Sequence, residues 1–236
     1  MALFALSDLH LSLGTDKPMD VFGSTWHNHT ERIKENWNKT VGKDDLVIIA
    51  GDVSWATYLD EAKKDLQFVN SLPGKKLITK GNHDYWWESI TKLERFKAEN
   101  ELNSISFLHN NFFTYENFSI GAARFWLNSD SDSFSKEDKK IYEREIIRLS
   151  LSLEKLDKEC PHDNTRVAAL HFPPVNYHGK CDESVMEIFK KYKVKKCIYG
   201  HLHGEGIKNA FTGTIDGIDF YLTSADALDF TPLRIK

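Results

Sequence analysis

Cysteine is scarce in this chain. Cys160, Cys181 and Cys197 form neither a Cys-x-x-Cys pair nor an even disulfide set, which suits a reducing compartment. Long apolar runs are missing as well: none approaches the roughly 18 residues of a membrane span. Residues 1–8 hold an apolar run too short for a signal h-region, with no basic segment before it. The expectation is a cytoplasmic protein without a membrane partner. Basic charge is not in excess either, with 31 Lys+Arg against 35 Asp+Glu and a net charge of −4, so nucleic acid is not a favoured partner and no protein partner is implied. No linker, repeat or low-complexity tract interrupts the chain, and 236 residues at 41% apolar content fit a single α/β domain over residues 1–236.

Against this background stand five short polar clusters, each following a compact apolar run. They are Asp8-Leu9-His10, Gly51-Asp52, Gly81-Asn82-His83-Asp84, His171 and Gly200-His201-Leu202-His203. The preceding runs, residues 3–6, 46–50, 76–79, 167–170 and 197–199, read as short buried strands that end in loops. In an α/β sheet ligands collect beyond the carboxyl ends of the strands, so the five loops are expected to converge on one pocket.

Segments of helical periodicity lie between the strands at residues 26–41, 58–72, 86–97 and 136–158. In the last of these Ile141, Ile146, Leu149, Leu153 and Leu156 form an apolar stripe. Ser135 with Asp138 predicts its N-cap, and Pro161 its end. Alternating runs at 105–108, 112–115 and 118–122, and the segment 211–222 around Asp216-Gly217, read as hairpins. The serine- and aspartate-rich stretch 129–133 reads as a surface loop.

The residue types in the clusters are metal ligands. Asp8 and His10, two apart at an extended strand end, are expected to point to one side, and His201 and His203 repeat that spacing. Glycine before Asp52, Asn82 and His201 allows a sharp turn at the sheet edge. So many polar side chains at buried strand ends are costly unless something neutralises them, and coordination does so. Nitrogen and oxygen donors without thiolate suit Mn, Fe, Zn, Co or Ni and disfavour Cu(I).

In order and spacing the five blocks resemble the signature of the calcineurin-like metallophosphoesterases, and the resemblance runs from residue 8 to residue 203. It implies an α/β fold with a two-sheet β-sandwich flanked by helices, a four-layer αββα arrangement. It also implies two divalent or mixed-valence metal ions, of Mn, Fe or Zn, at the strand ends. Asp8, His10 and His203 would hold the first ion, Asn82, His171 and His201 the second, and Asp52 would bridge them. His83 would be the general acid that protonates the leaving group, and Asp84 would orient and charge its ring. The implied activity is cleavage of phosphate esters, diester or monoester, by a hydroxide bridging the metals. The chain is also similar to small bacterial phosphohydrolases. A nuclease and a noncatalytic scaffold of the same fold are the alternatives; the first calls for a basic groove or capping domain, the second for degraded ligand blocks, and the sequence offers neither.

Around the signature, Trp55, Trp86 and Trp87 read as packing residues rather than pocket walls, and His27 and His29 as surface residues. His178 and Arg124 are candidates for touching substrate or phosphate, and Cys197 reads as a small core residue. Selectivity is expected in the loops 11–25, 126–135 and 172–182.

Overall fold

A computed structural model describes residues 1–131 and 134–236, and the part of the expected surface loop at 132 and 133 lies outside them. The chain divides into two compact units, Met1–Phe107 with Thr223–Lys236, and Leu108–Leu222.

In the first unit a five-stranded sheet is built from β1 (Leu3–Ala5), β2 (Leu46–Ile49), β3 (Lys75–Ile78), β4 (Ile105–Phe107) and the last strand of the chain (Leu233–Ile235). β1 to β4 run parallel, and the last strand pairs antiparallel with β1 at the edge. The helices α1 (His29–Thr40), α2 (Lys63–Ser71) and α3 (Ile90–Glu99) lie between successive strands, as parallel pairing requires. Trp37 of α1, Leu66 and Val69 of α2 and Leu93 of α3 join Val47, Ile49 and Ile78 of the sheet in one buried cluster. The run at 105–108 was expected in a hairpin and is instead a parallel strand. It follows a helix, so the chain enters it from the same end as β3.

The second unit carries a six-stranded mixed sheet of β5 (Phe112–Tyr115), β6 (Phe118–Ala123), β7 (Thr165–Leu170), β8 (Lys196–Tyr199), β9 (Gly213–Ile215) and β10 (Ile218–Leu222), in the order β5-β6-β7-β8-β10-β9. The hairpins expected at 112–122 and around Asp216-Gly217 are present as β5–β6 and β9–β10. Asp216 and Gly217 both take positive φ, 51° and 76°, the turn that matches strand twist.

The long helix α4 (Lys136–Glu159) starts at the predicted capping box: Ser135 Oγ accepts from the Asp138 amide, and Asp138 Oδ2 accepts from the Ser135 amide at 2.9 Å. Its buried face is Tyr142, Glu145, Leu149, Ser152, Leu153 and Leu156. Ile141 and Ile146, expected in the stripe, are only half-buried, while Glu145 and Ser152 give the buried face polar members. Ser152 Oγ accepts the Ala122 amide and donates to the Asn111 carbonyl, at 2.8 and 2.6 Å. A fifth helix, α5 (Glu183–Lys191), was missed by the sequence reading, although Asp182 caps it at Val185 and Val185, Ile188 and Phe189 make its buried side. Among the described residues no helix is long and apolar enough to cross a membrane.

Lys76 is fully buried in β3. Its Nζ donates to the carbonyls of Asn70, Leu72 and Gly74, which satisfies the carboxyl end of α2 and the turn into the sheet. Burial pulls the ammonium down from 10.5 to about 8. Replacing it in Lys76→Met leaves those carbonyls short of a donor, and urea unfolding should show a loss of about 1–3 kcal/mol. The folded pKa lies below the unfolded one, so between these values the unfolded chain binds more protons. Wild-type stability should therefore rise from pH about 8 to 10.5 by an increment that Lys76→Met lacks.

Candidate metal centre

In the first unit the chain beyond β1 continues alongside the chain beyond β2 without forming a regular strand. The amides of Asp8, His10 and Leu11 donate to the carbonyls of Gly51, Asp52 and Val53 at 3.0, 3.0 and 2.9 Å. Ser7 Oγ accepts the Ala50 amide at 2.9 Å. This ladder brings Asp8, His10 and Asp52 together, all buried. Oxygens of the Asp8 carboxylate lie within 4.8 Å of a donor atom of His10 and of Asp52, and His10 Nε2 is 4.0 Å from Asp52 Oδ2.

Asp8 and His10 are not extended, as their spacing suggested. Their φ values are 58° and 45°, and Asp52 and His201 sit at 54° and 71°. Left-handed backbone in a non-glycine residue costs energy and persists only where the surroundings impose it. Gly51 takes φ 95°, in accord with the turn expected before Asp52. Gly81 serves another purpose: a Cβ there would stand 2.0 Å from Asp52 Oδ1 and 2.4 Å from the Asp52 amide, so only glycine lets the two loops touch.

The clamp between those loops is Asp84. Its Oδ2 accepts the amides of Asp52 and Gly81, both at 2.8 Å. Its Oδ1 accepts from Val53 at 2.9 Å, Ser54 at 3.4 Å and the Trp86 indole at 3.0 Å. The expected role was to orient and charge the His83 ring. Five donors absorb the carboxylate, and His83 Nδ1 makes no hydrogen bond. Asp84 is thus a positioning residue for Asp52. His83 is half-buried; its amide donates to Asp52 Oδ1 at 2.8 Å, and its ring lies 4.6 Å from Trp55 and 5.8 Å from His10. Asn82, also half-buried, precedes it.

Trp86 and Trp87 are buried packing residues, as read, but Trp55 is half-buried and stacks on His10 at 4.9 Å. His27 is exposed. His29 is not a surface residue: it is 8% exposed, its ring meets Trp26 and Phe230, and burial lowers its pKa. Helix α1 begins at this residue and turns it inward.

In the second unit His171 follows β7, and its amide and that of Phe172 both donate to the Arg124 carbonyl at 3.0 Å. His171 is fully buried. His201 follows β8 and is half-buried with its ring 5.2 Å from His171. His203 is half-buried and precedes a short 3-10 turn. Arg124 is held by the buried Glu145 at 3.4 Å and lies over Trp126. Cys197 is fully buried, as expected.

The donor set fits hard to borderline divalent metals. Two buried carboxylates and buried imidazoles beside them are costly in the absence of positive charge and suited to its presence. The three cysteines are separately buried thiols outside the clusters.

A model of the family described as calcineurin-like phosphoesterase matches residues 1–205. The gene 66 protein of Mycobacterium phage L5 is 32% identical over 80 residues, 33% of this chain and 37% of that protein, so the chain matches little more than a third of its relative's length. Among solved structures, phosphopantetheinyl hydrolase of Mycobacterium tuberculosis aligns with a TM-score of 0.55 at 14% identity, over 99% of this chain and 95% of its own. The protein TT1561 of Thermus thermophilus aligns with a TM-score of 0.53 at 11% identity, over 95% and 89%. At these identities the likeness is one of fold: α/β, with two mixed sheets and flanking helices.

Two substitutions test this local design. Asp84→Asn should cost about 3 kcal/mol in chemical unfolding, because an amide group cannot accept where the second oxygen does. Gly81→Ala should retain the circular dichroism of the parent while its metal content, read by atomic emission, falls about tenfold or more at limiting metal, as a displaced ligand requires.

Proposed function

The chain belongs to the calcineurin-like phosphoesterase family, its domain is that of a metal-dependent hydrolase, and from this premise we propose that it cleaves phosphate esters at a dinuclear divalent centre. Its ligands in this reading are Asp8, His10, Asp52, Asn82, His171, His201 and His203, with His83 as the general acid. The observation that carries the proposal is the left-handed backbone at Asp8, His10, Asp52 and His201, since strain at four polar strand ends is what a preorganised ligand set retains. When bound, two divalent ions of the Mn, Fe or Zn kind supply the positive charge that draws in the phosphate and makes water nucleophilic at neutral pH.

The chain's own residues do the remaining work. Asp52 is held at Oδ1 by the His83 amide and kept against the neighbouring loop by the absence of a side chain at Gly81. His83 shares that loop, and because its Nδ1 has no hydrogen-bond partner, no protein acceptor fixes its tautomer. Its ring is free to carry a proton to the departing oxygen. Trp55 packs against the rings of His10 and His83 and limits water on that side.

Metal-stripped protein should be inactive on bis(p-nitrophenyl) phosphate and p-nitrophenyl phosphate and regain hydrolysis with Mn²⁺, while Asp52→Asn stays inactive. His83→Ala should lower turnover by roughly 10²–10⁴ with metal content unchanged. Failure of any divalent metal to restore cleavage of either ester would overturn the proposal, and loss of metal in His83→Ala would make His83 a ligand.

A further inference from the structure

The second unit carries a half-open cavity of about 670 Å³ between the loops 126–131 and 172–180, with His201 on its wall. That volume is typical of a site for a small organic molecule. Both loops were marked from sequence as places for selectivity, without residues that said for what.

One wall is a series of rings. Trp126 lies 4.7 Å from Phe172, and Phe172 4.0 Å from His201. The indole is tethered, since its Nε1 donates to Asp138 Oδ1 at 2.9 Å and the Arg124 guanidinium sits over the ring at 4.6 Å. Tyr177 also lines the cavity, is 69% exposed, and lies against His178 with ring centres 3.9 Å apart and tilted by 43°. Rigid aromatic surfaces lose little entropy when a flat ligand covers them.

The polar lining combines amides with Asp130, Ser131, His178 and Lys180. Asn128 and Asn176 belong to it, and Asn176 Oδ1 is taken by the amides of His178 and Lys180, both at 3.0 Å, which leaves its NH₂ to donate. Lys180 is already paired with Asp130 at 3.0 Å and Glu183 at 3.1 Å. A neutralised lysine, amides and rings suit an uncharged, hydrogen-bonding group better than a phosphate.

We infer that this cavity takes the organic part of the ester and that this part is a planar heteroaromatic ring of the nucleobase class, with the phosphate toward His201. The inference rests on the reading that His201 serves a phosphate-cleaving centre. The ring faces that line the cavity, tilted 48° and 33° to one another along Trp126, Phe172 and His201, are covered better by a planar ring than by an acyclic amide chain.

Saturation-transfer NMR with adenosine tests the cavity without metal or ester. Adenosine should bind the full chain with or without Mn²⁺, with its base protons the most strongly saturated, and bind about tenfold or more weakly in Tyr177→Ala and Trp126→Ala. Tyr177 is exposed, so its variant keeps the fold even where Trp126→Ala does not. No binding, binding equal in the folded Tyr177→Ala variant, or tighter binding of the acyclic amide pantothenate would overturn the inference. Ester hydrolysis without adenosine binding sinks this inference alone. Adenosine binding without hydrolysis under any metal supports the ring-binding cavity and overturns the functional reading.

Discussion

The carboxylate of Asp84 is fully buried and accepts hydrogen bonds from the backbone of Asp52, Val53, Ser54 and Gly81 and from the Trp86 indole. A buried anion is tolerated only when its lone pairs are met, and charge-assisted bonds of this kind are stronger than neutral ones. The result is a tie between the loops after β2 and β3. With the loops tied, Gly81 comes against Asp52 closely enough to exclude any side chain, and the His83 amide reaches Asp52 Oδ1. The Asp52 carboxylate is thereby aimed before any ligand arrives, which is the condition for an exacting coordination site.

The same kind of constraint explains the strained residues. Asp8 and His10 adopt positive φ because their amides are committed to the Gly51 and Asp52 carbonyls. The ladder continues past the regular strands, and the side chains are turned by the backbone rather than by strand alternation. The two units carry different chemistry. The first provides Asp8 and Asp52 with His10, Asn82 and His83; the second provides His171, His201 and His203, along with a cavity lined by rings, amides and the Lys180–Asp130 pair.

Much of this was legible in the residues. Compact apolar runs marked the strands that precede the five polar clusters, and Ser135 with Asp138 marked the start of α4. Asp216-Gly217 marked a hairpin. These signals are local, arising from periodicity, caps and turn chemistry. The misses are non-local. β4 resembles a hairpin strand in isolation and is parallel because α3 returns the chain. The last strand, Leu233–Ile235, owes its place to pairing with β1. His29 sits in a polar stretch and is buried by rings contributed from Trp26 and Phe230.

The five motif blocks were sufficient for the family resemblance and for the residue types available to hold metal, and periodicity and turn chemistry for the order of strands and helices along most of the chain, because each of these is written locally. Three other facts emerged only from the folded chain: the Asp84 carboxylate accepts the Asp52 amide, Gly81 is required by close approach, and the loops 126–131 and 172–180 line one cavity bordered by rings. They depend on which distant atoms occupy the space around a group, and for a buried carboxylate the nearest donors, not its neighbours in the chain, settle what it does.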